Sequence, residues 1–183
     1  MRIDANTEEH EVVAAVRRGH HLAFAELVRR HQRRSYGVCR AILANHEDAE
    51  DAVQEGFLNA YRAIDRFEPG QPFGAWLHRI MANAARDLWR RREVRHAERL
   101  PDSLPDAVGD FGDGISTSDA VKAGLATLSQ RQRAVVVLHD LEGFTHAEIA
   151  STLGIPEGTA KSDLHLARRR MRAHLSRYRL EMF

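Results

Sequence analysis

The stretch THAEIASTLGIPEGTAKSDLHLARRRMR, Thr145 to Arg172, decides the fold of the second half of this chain. Thr145 followed three residues later by Glu148 is a capping-box pattern, in which hydroxyl and carboxylate reciprocally satisfy orphan N–H groups at a helix start. Ile149, Ala150 and Leu153 give that short helix an apolar face, and Gly154 tolerates the left-handed conformation common just past a helix end. Pro156, with its fixed φ and missing N–H, suits the opening of a second helix, which runs through Leu164, Ala167, Met171 and Leu175 at helical spacing. Two helices joined by a tight glycine-containing turn, the second carrying Lys161, Arg168, Arg169, Arg170 and Arg172, read as a helix-turn-helix with a basic second helix, a pattern that points to DNA. On this stretch alone, an ordinary antiparallel helix pair with a solvated basic face stays open.

The remaining composition frames that reading. A chain of 183 residues with 43% hydrophobic and 29% charged content has the make-up of a soluble globular protein of one medium domain or two small ones. The net charge is only +1, so any nucleic-acid contact must rest on local patches. Two exist: Arg86 to Arg99 holds six arginines against three acids, and Ser129 to Arg179 holds nine basic residues against five acids. Cys39 is the sole cysteine, which excludes an intrachain disulfide and a CxxC metal site and fits a reducing cytoplasm. No apolar run approaches the roughly 20 residues of a membrane span, and the N-terminus lacks a signal-peptide core. His20 with His21, and His46 beside Glu47 and Asp48, do not form a metal-ligand pattern, so neither metal nor cofactor is expected.

Upstream, every segment to Arg99 has helical periodicity and nothing alternates long enough for a strand, so the expected fold class is all-α. Glu8 to Arg18 offers Val12, Val13 and Val16 on one face and ends at Gly19. Leu22, Phe24, Leu27 and Val28 start a second helix that continues through Tyr36, Val38 and Ile42, with Asn45 as a break. Then Ala49, Val53, Phe57, Ala60, Tyr61 and Ile64 form an apolar stripe, opposite Asp48, Asp51, Gln54 and Glu55. Those acids either complement the helix dipole or make a docking face for a basic partner. The breaker cluster Glu68 to Pro72 is a loop. Beyond it, FGAWLHRIMANAARDLWRRR buries Trp76, Leu77, Ile80, Ala84 and Leu88 and offers Asn83, Arg86, Trp89, Arg90 and Arg91 on its other side. Arginine, an amide and an aromatic together suit unstacked single-stranded bases; the alternative, Trp89 in the core with solvated arginines, stays open. From Leu100 to Asp119 there are five Asp and no Lys or Arg, with Pro, Gly and Ser, the composition of an extended, mobile linker. The domains expected are therefore 1–99 and 120–183. Within the second, Ser129 caps a helix from Gln130 to Leu141 that turns Ala134, Val135 and Leu138 inward.

DAEDAVQEGFLNAYRAIDRF followed by FGAWLHRIMANAARDLWRRR, and then GFTHAEIASTLGIPEGTAKSDLHLARRRMR, closely resemble regions two and four of bacterial RNA polymerase sigma factors of the sigma-70 family, extracytoplasmic-function group. The resemblance spans about four fifths of the chain, in the right order across a linker. It implies two small helical domains in a non-enzymatic, cytoplasmic subunit. Its partners would be core RNA polymerase, at the beta-prime clamp helices and the beta flap, then promoter DNA and an anti-sigma factor, without membrane insertion. The rival reading is a free-standing helix-turn-helix regulator.

The resemblance also assigns residues. Asp48, Asp51, Gln54 and Glu55 would dock on the clamp helices. Phe67 and Asn83 match the pocket for a base flipped from the minus-10 element, with Arg86, Trp89, Arg90 and Arg91 beside it on the strand. Glu157, Gly158, Thr159, Lys161, Ser162 and His165 would face the major groove of the minus-35 element, with Arg168 and Arg169 further along. Two positions depart from relatives that commonly carry arginine: Asp163 and Leu166. An acid near phosphates is unfavourable but can accept from cytosine N4, so the expectation is a divergent or weakly contacted minus-35 element. The acidic linker would thread the polymerase cleft or serve as a simple tether.

Overall fold

A computed structural model of the chain describes residues 7–43, 45–97 and 119–181, with 92–97 and 178–181 as backbone only. The linker expected over 100–119 lies outside these residues except for Asp119, where a helix has already begun. Among the described residues there is no strand.

Helix α1 (Glu9–Arg17) buries Val12, Val13, Ala15 and Val16 and stops where Gly19 takes a φ of 90°. A single 3-10 turn over His21–Ala23 then leads into α2 (Phe24–Ile42). Leu22, expected in the second helix, lies in that turn instead and is 92% exposed. Asn45 caps α3 (His46–Ala63) by accepting from the Asp48 N–H. A second 3-10 turn, Ile64–Arg66, and the loop from Phe67 to Pro72 bring the chain to α4 (Phe73–Ala97). Helices α2, α3 and α4 pack on one another around Leu27, Val38, Phe57, Leu77 and Met81, and α1 covers one end. Cys39 lies inside this core, where burial pushes its thiol pKa well above the usual range, as expected of an inert cysteine.

The second domain comprises α5 (Asp119–Ala126), α6 (Gln130–Val136), α7 (His146–Leu153) and α8 (Glu157–Glu181). Ser129 caps α6, accepting from Gln132 N–H as its position suggests. Buried Arg133 donates to the carbonyls of Leu125 and Leu128, closing the C-terminal end of α5. Helix α6 then widens into a π turn over Val137–Leu141, with the Glu142 N–H donating to the Val137 carbonyl at 3.1 Å. Leu125, Val135, Leu138, Phe144, Ile149, Leu164 and Ala167 form the core.

The two domains pack directly on each other. Helix α6 and the π turn lie against α2, and α7 lies against α4. Gln130 at the start of α6 donates to the Ile42 carbonyl at the end of α2, at 2.7 Å.

Candidate nucleic-acid interface

The helix-turn-helix is built as its local sequence dictates. Thr145 accepts from the Glu148 N–H, and the Glu148 carboxylate accepts from the Thr145 N–H at 2.8 Å, completing the capping box. Gly154 sits at φ 66°, in the left-handed region, and ends α7. Helix α8 then presents Glu157, Gly158, Lys161, Ser162 and His165 to solvent, with Thr159 half-buried behind them. Lys161 pairs with Glu157 one turn earlier at 2.8 Å, which holds the Glu157 carboxyl below the usual range. The charge on this face is therefore partly neutralised within the helix.

Asp163 does not belong to that face. It is 5% exposed and accepts from Arg131 Nε of α6 at 2.5 Å, which raises the Arg131 pKa. Its place among the buried positions of α8, next to Leu164, turns it inward, so it cannot meet a cytosine, and the expectation of base reading at this residue is corrected. Leu166 does reach the surface. Arg168, expected near phosphate, donates to Asp140 of the π turn through both Nε and Nη2. Burial alone would raise the Asp140 pKa, but the bonds from Arg168 and His139 outweigh it and hold the carboxyl low. Arg169 remains exposed.

A second surface lies on α4. Asn83, Arg90 and Arg91 are exposed, and Arg86 and Trp89 are half-buried, so Trp89 is neither a core residue nor a free one. Phe67 is buried against the first turn of α4, edge-on to Phe73 at 5.5 Å and to Trp76 at 5.4 Å between ring centroids. The Phe67 carbonyl accepts from Arg17 of α1, so the loop that carries it is tied from behind.

A third surface runs along the groove between α3 and α4. Asp51, Gln54 and Glu55 are exposed on one wall, facing Ala84, Leu88 and Arg91 across a depression of about 320 Å³. Asp48 is apart from them: buried, it accepts from Asn45 Nδ2 at 2.7 Å and completes the cap of α3. Its geometry is that of the helix-stabilising alternative. Leu58, half-exposed in the same groove, has no polar signature and was not singled out by pattern.

His21 and His46 each lie beside a tyrosine. The Tyr61 hydroxyl lies 2.5 Å from His21, and that of Tyr36 lies 2.8 Å from His46. No group of three or more His, Cys, Asp or Glu among the described residues is placed to hold a metal ion.

With this geometry in place, comparisons with known proteins are informative. The sigma-70 region 2 model matches residues 27–95, and a sigma-70 region 4 model matches residues 118–171. The chain is 38% identical over 161 residues to the ECF RNA polymerase sigma factor SigM of Mycobacterium tuberculosis, covering 88% of this chain and 81% of SigM. It is 36% identical over 163 residues to the ECF RNA polymerase sigma factor SigE of Mycolicibacterium smegmatis, of which it spans 63%. Among solved structures, it resembles the sigma factor RpoE of Bartonella quintana in its complex with the anti-sigma factor NepR. That match has 28% identity and a TM-score of 0.52, covering 78% of this chain and 89% of RpoE.

Proposed function

We infer the working roles of these surfaces from one premise: the chain belongs to the extracytoplasmic-function group of the sigma-70 family of RNA polymerase sigma factors. As a sigma factor it binds core RNA polymerase and directs it to promoters, which sets aside the free-standing regulator. The NepR complex of its structural relative supports an anti-sigma partner here as well. Among the described residues no helix is long and apolar enough to cross a membrane.

The proposed division of labour follows the three surfaces. Asp51, Gln54 and Glu55, with Leu58 between the charges, dock on the polymerase clamp, where charge complementarity speeds and orients assembly. Asn83, on the helix whose first turn packs on Phe67, reads a base extruded from the minus-10 element, and Arg86, Trp89 and Arg90 stack on or pair with the neighbouring strand. Extrusion costs a few kcal/mol, which stacking at about 1–3 kcal/mol per base offsets. The exposed turn from Glu157 to His165 enters the major groove of the minus-35 element. Asp48, Asp163 and Arg168 have structural rather than contact roles in this scheme.

The observation that carries this reading is the pairing, on one chain, of a capped helix-turn-helix with a separate amide, arginine and tryptophan face on α4. The test is transcription from promoters selected by the chain bound to purified core polymerase. Asn83→Ala and Trp89→Ala should abolish strand opening while holoenzyme assembly persists. Tight, site-specific duplex binding without polymerase, and no stimulation of transcription with it, would overturn the reading.

A further inference from the structure

The seam between the two domains is held by Glu142, at the end of the π turn. Its side chain is 4% exposed and is gripped from two helices of the other domain. Arg34 of α2 donates from Nε to Oε1 at 2.9 Å and from a terminal nitrogen to the neighbouring Leu141 carbonyl. His78 of α4, 3% exposed, lies with Nδ1 2.5 Å from Oε2. Burial alone would raise the Glu142 pKa; the hydrogen bonds and charges of His78 and Arg34 outweigh that and hold the carboxyl below its ordinary range.

The next residue of α4, Arg79, donates to Glu148 at 2.9 Å and lies over the Phe144 ring at 5.5 Å from its centroid. Glu148 thus serves two purposes, capping α7 and tying it to α4. These polar ties sit beside incomplete packing: a cavity of about 520 Å³ opens between Arg86 and Trp89 on one wall and Arg131, Leu153 and Ile155 on the other. Unfilled space forfeits dispersion contacts, which raises the share of closure that the ion pairs carry beside the apolar packing of α6 on α2. The turn of the helix-turn-helix lies so near α4 that a methyl group on Gly154 would meet the Arg90 guanidinium at 3.4 Å.

The closed seam therefore places the turn of the DNA reader over the α4 face that carries Arg86, Trp89 and Arg90. We propose that Glu142 is an autoinhibitory latch. Gripped by Arg34 and His78, it keeps the domains closed and withholds the α4 face from single-stranded DNA until they part. This rests on the reading of α4 as the strand-contacting surface. Its further content is that the free protein masks that surface with its own second domain and that one buried carboxylate controls the masking. A carboxylate clamped between two partners suits this use, because loss of either partner leaves the remaining groups buried and poorly compensated, which favours the open form.

The chain has two tryptophans, so in a Trp76→Phe background Trp89 alone reports the seam. Glu142→Ala removes the latch. Arg34→Ala does so from an exposed position that leaves both domain interiors intact. Acrylamide quenching of Trp89, small-angle scattering, and affinity for a single-stranded oligodeoxynucleotide of mixed sequence are measured on the full chain. Both latch variants should expose Trp89, enlarge the radius of gyration and bind the oligonucleotide at least about tenfold more tightly, a shift of about 1.4 kcal/mol that is well within what losing one partner of a buried pair releases. Trp89→Ala should cancel that gain. If neither variant exposes Trp89, the latch is overturned. If both expose it and affinity does not rise, while Trp89→Ala still weakens binding, α4 contacts the strand and the masking is overturned. If Trp89→Ala has no effect on binding by the opened variants, the strand-contact reading falls and takes the masking with it.

Discussion

Replacing Gly56 by alanine should destabilise the first domain, although the same change in an open helix would stabilise it. Gly56 lies in the interior of α3, where alanine is favoured by up to about 1 kcal/mol on backbone entropy alone. Against that, the added Cβ would stand 2.3 Å from Met81 Sδ and 3.2 Å from its Cε on α4. Ordinary contact is about 3.5–4.0 Å, so the sulfur must move by more than about 1 Å. Met81 is fully buried and cannot swing into water. Overpacking of this kind costs about 1–3 kcal/mol, and methionine's flexibility favours the lower half of that range. The net expectation is a loss of about 1 kcal/mol, read as a lower urea midpoint with an unchanged slope.

A double-mutant cycle sharpens the test. Met81→Ala alone should cost about 2–5 kcal/mol by opening a cavity, but the methyl group introduced by Gly56→Ala would occupy part of the vacated space. The double variant should therefore be less damaged than the sum of the singles by about 1 kcal/mol. Strict additivity, or a Gly56→Ala protein as stable as the parent, would refute the close-approach argument. The groove proposed to dock polymerase shares the α3 and α4 walls, so on that proposal polymerase affinity should fall with the same substitution.

Three further outcomes follow from single contacts. Thr145→Ala should cost about 1 kcal/mol, seen as faster hydrogen exchange in α7 with the first domain unaffected, because only the capping box is lost. Asp163→Asn should lower the melting temperature of the second domain by removing about 1–2 kcal/mol, a modest figure because its partner Arg131 is exposed enough to turn to water; a changed minus-35 preference at unchanged stability would contradict the inward placement. Acid should open the seam. Because the folded pKa of Glu142 is depressed, its stabilisation is complete above the ordinary glutamate value of about 4.3 and is lost as pH falls through the lower folded value. Trp89 exposure should thus rise below that pH, whereas in Arg34→Ala, already open, it should be high and nearly independent of pH across the same range.

The features legible in the sequence share one physical property: their partners lie within about four residues. The Thr145–Glu148 box, the left-handed Gly154 and the Ser129 cap are closed by bonds the local chain makes with itself, so residue type and spacing were enough, whereas Asn45, read only as a break, proved also to cap α3. Helical periodicity likewise identified the buried faces of α3 and α6, since burial of a stripe depends on rotation along one helix.

Tertiary structure decided what each charged residue does. Asp163 pairs with Arg131 from 32 residues away and Arg34 with Glu142 from 108, and no local pattern encodes such a partner. Leu22 lies exposed in a 3-10 turn rather than in the second helix, and Asp48 left the docking face because it turned back to its own cap. The sequence by itself settled two helical domains and the helix-turn-helix within Thr145 to Arg172. Only the packing of one domain on the other set its turn beside Arg90 and across a cavity from Trp89, because what a side chain faces is fixed by which helices meet.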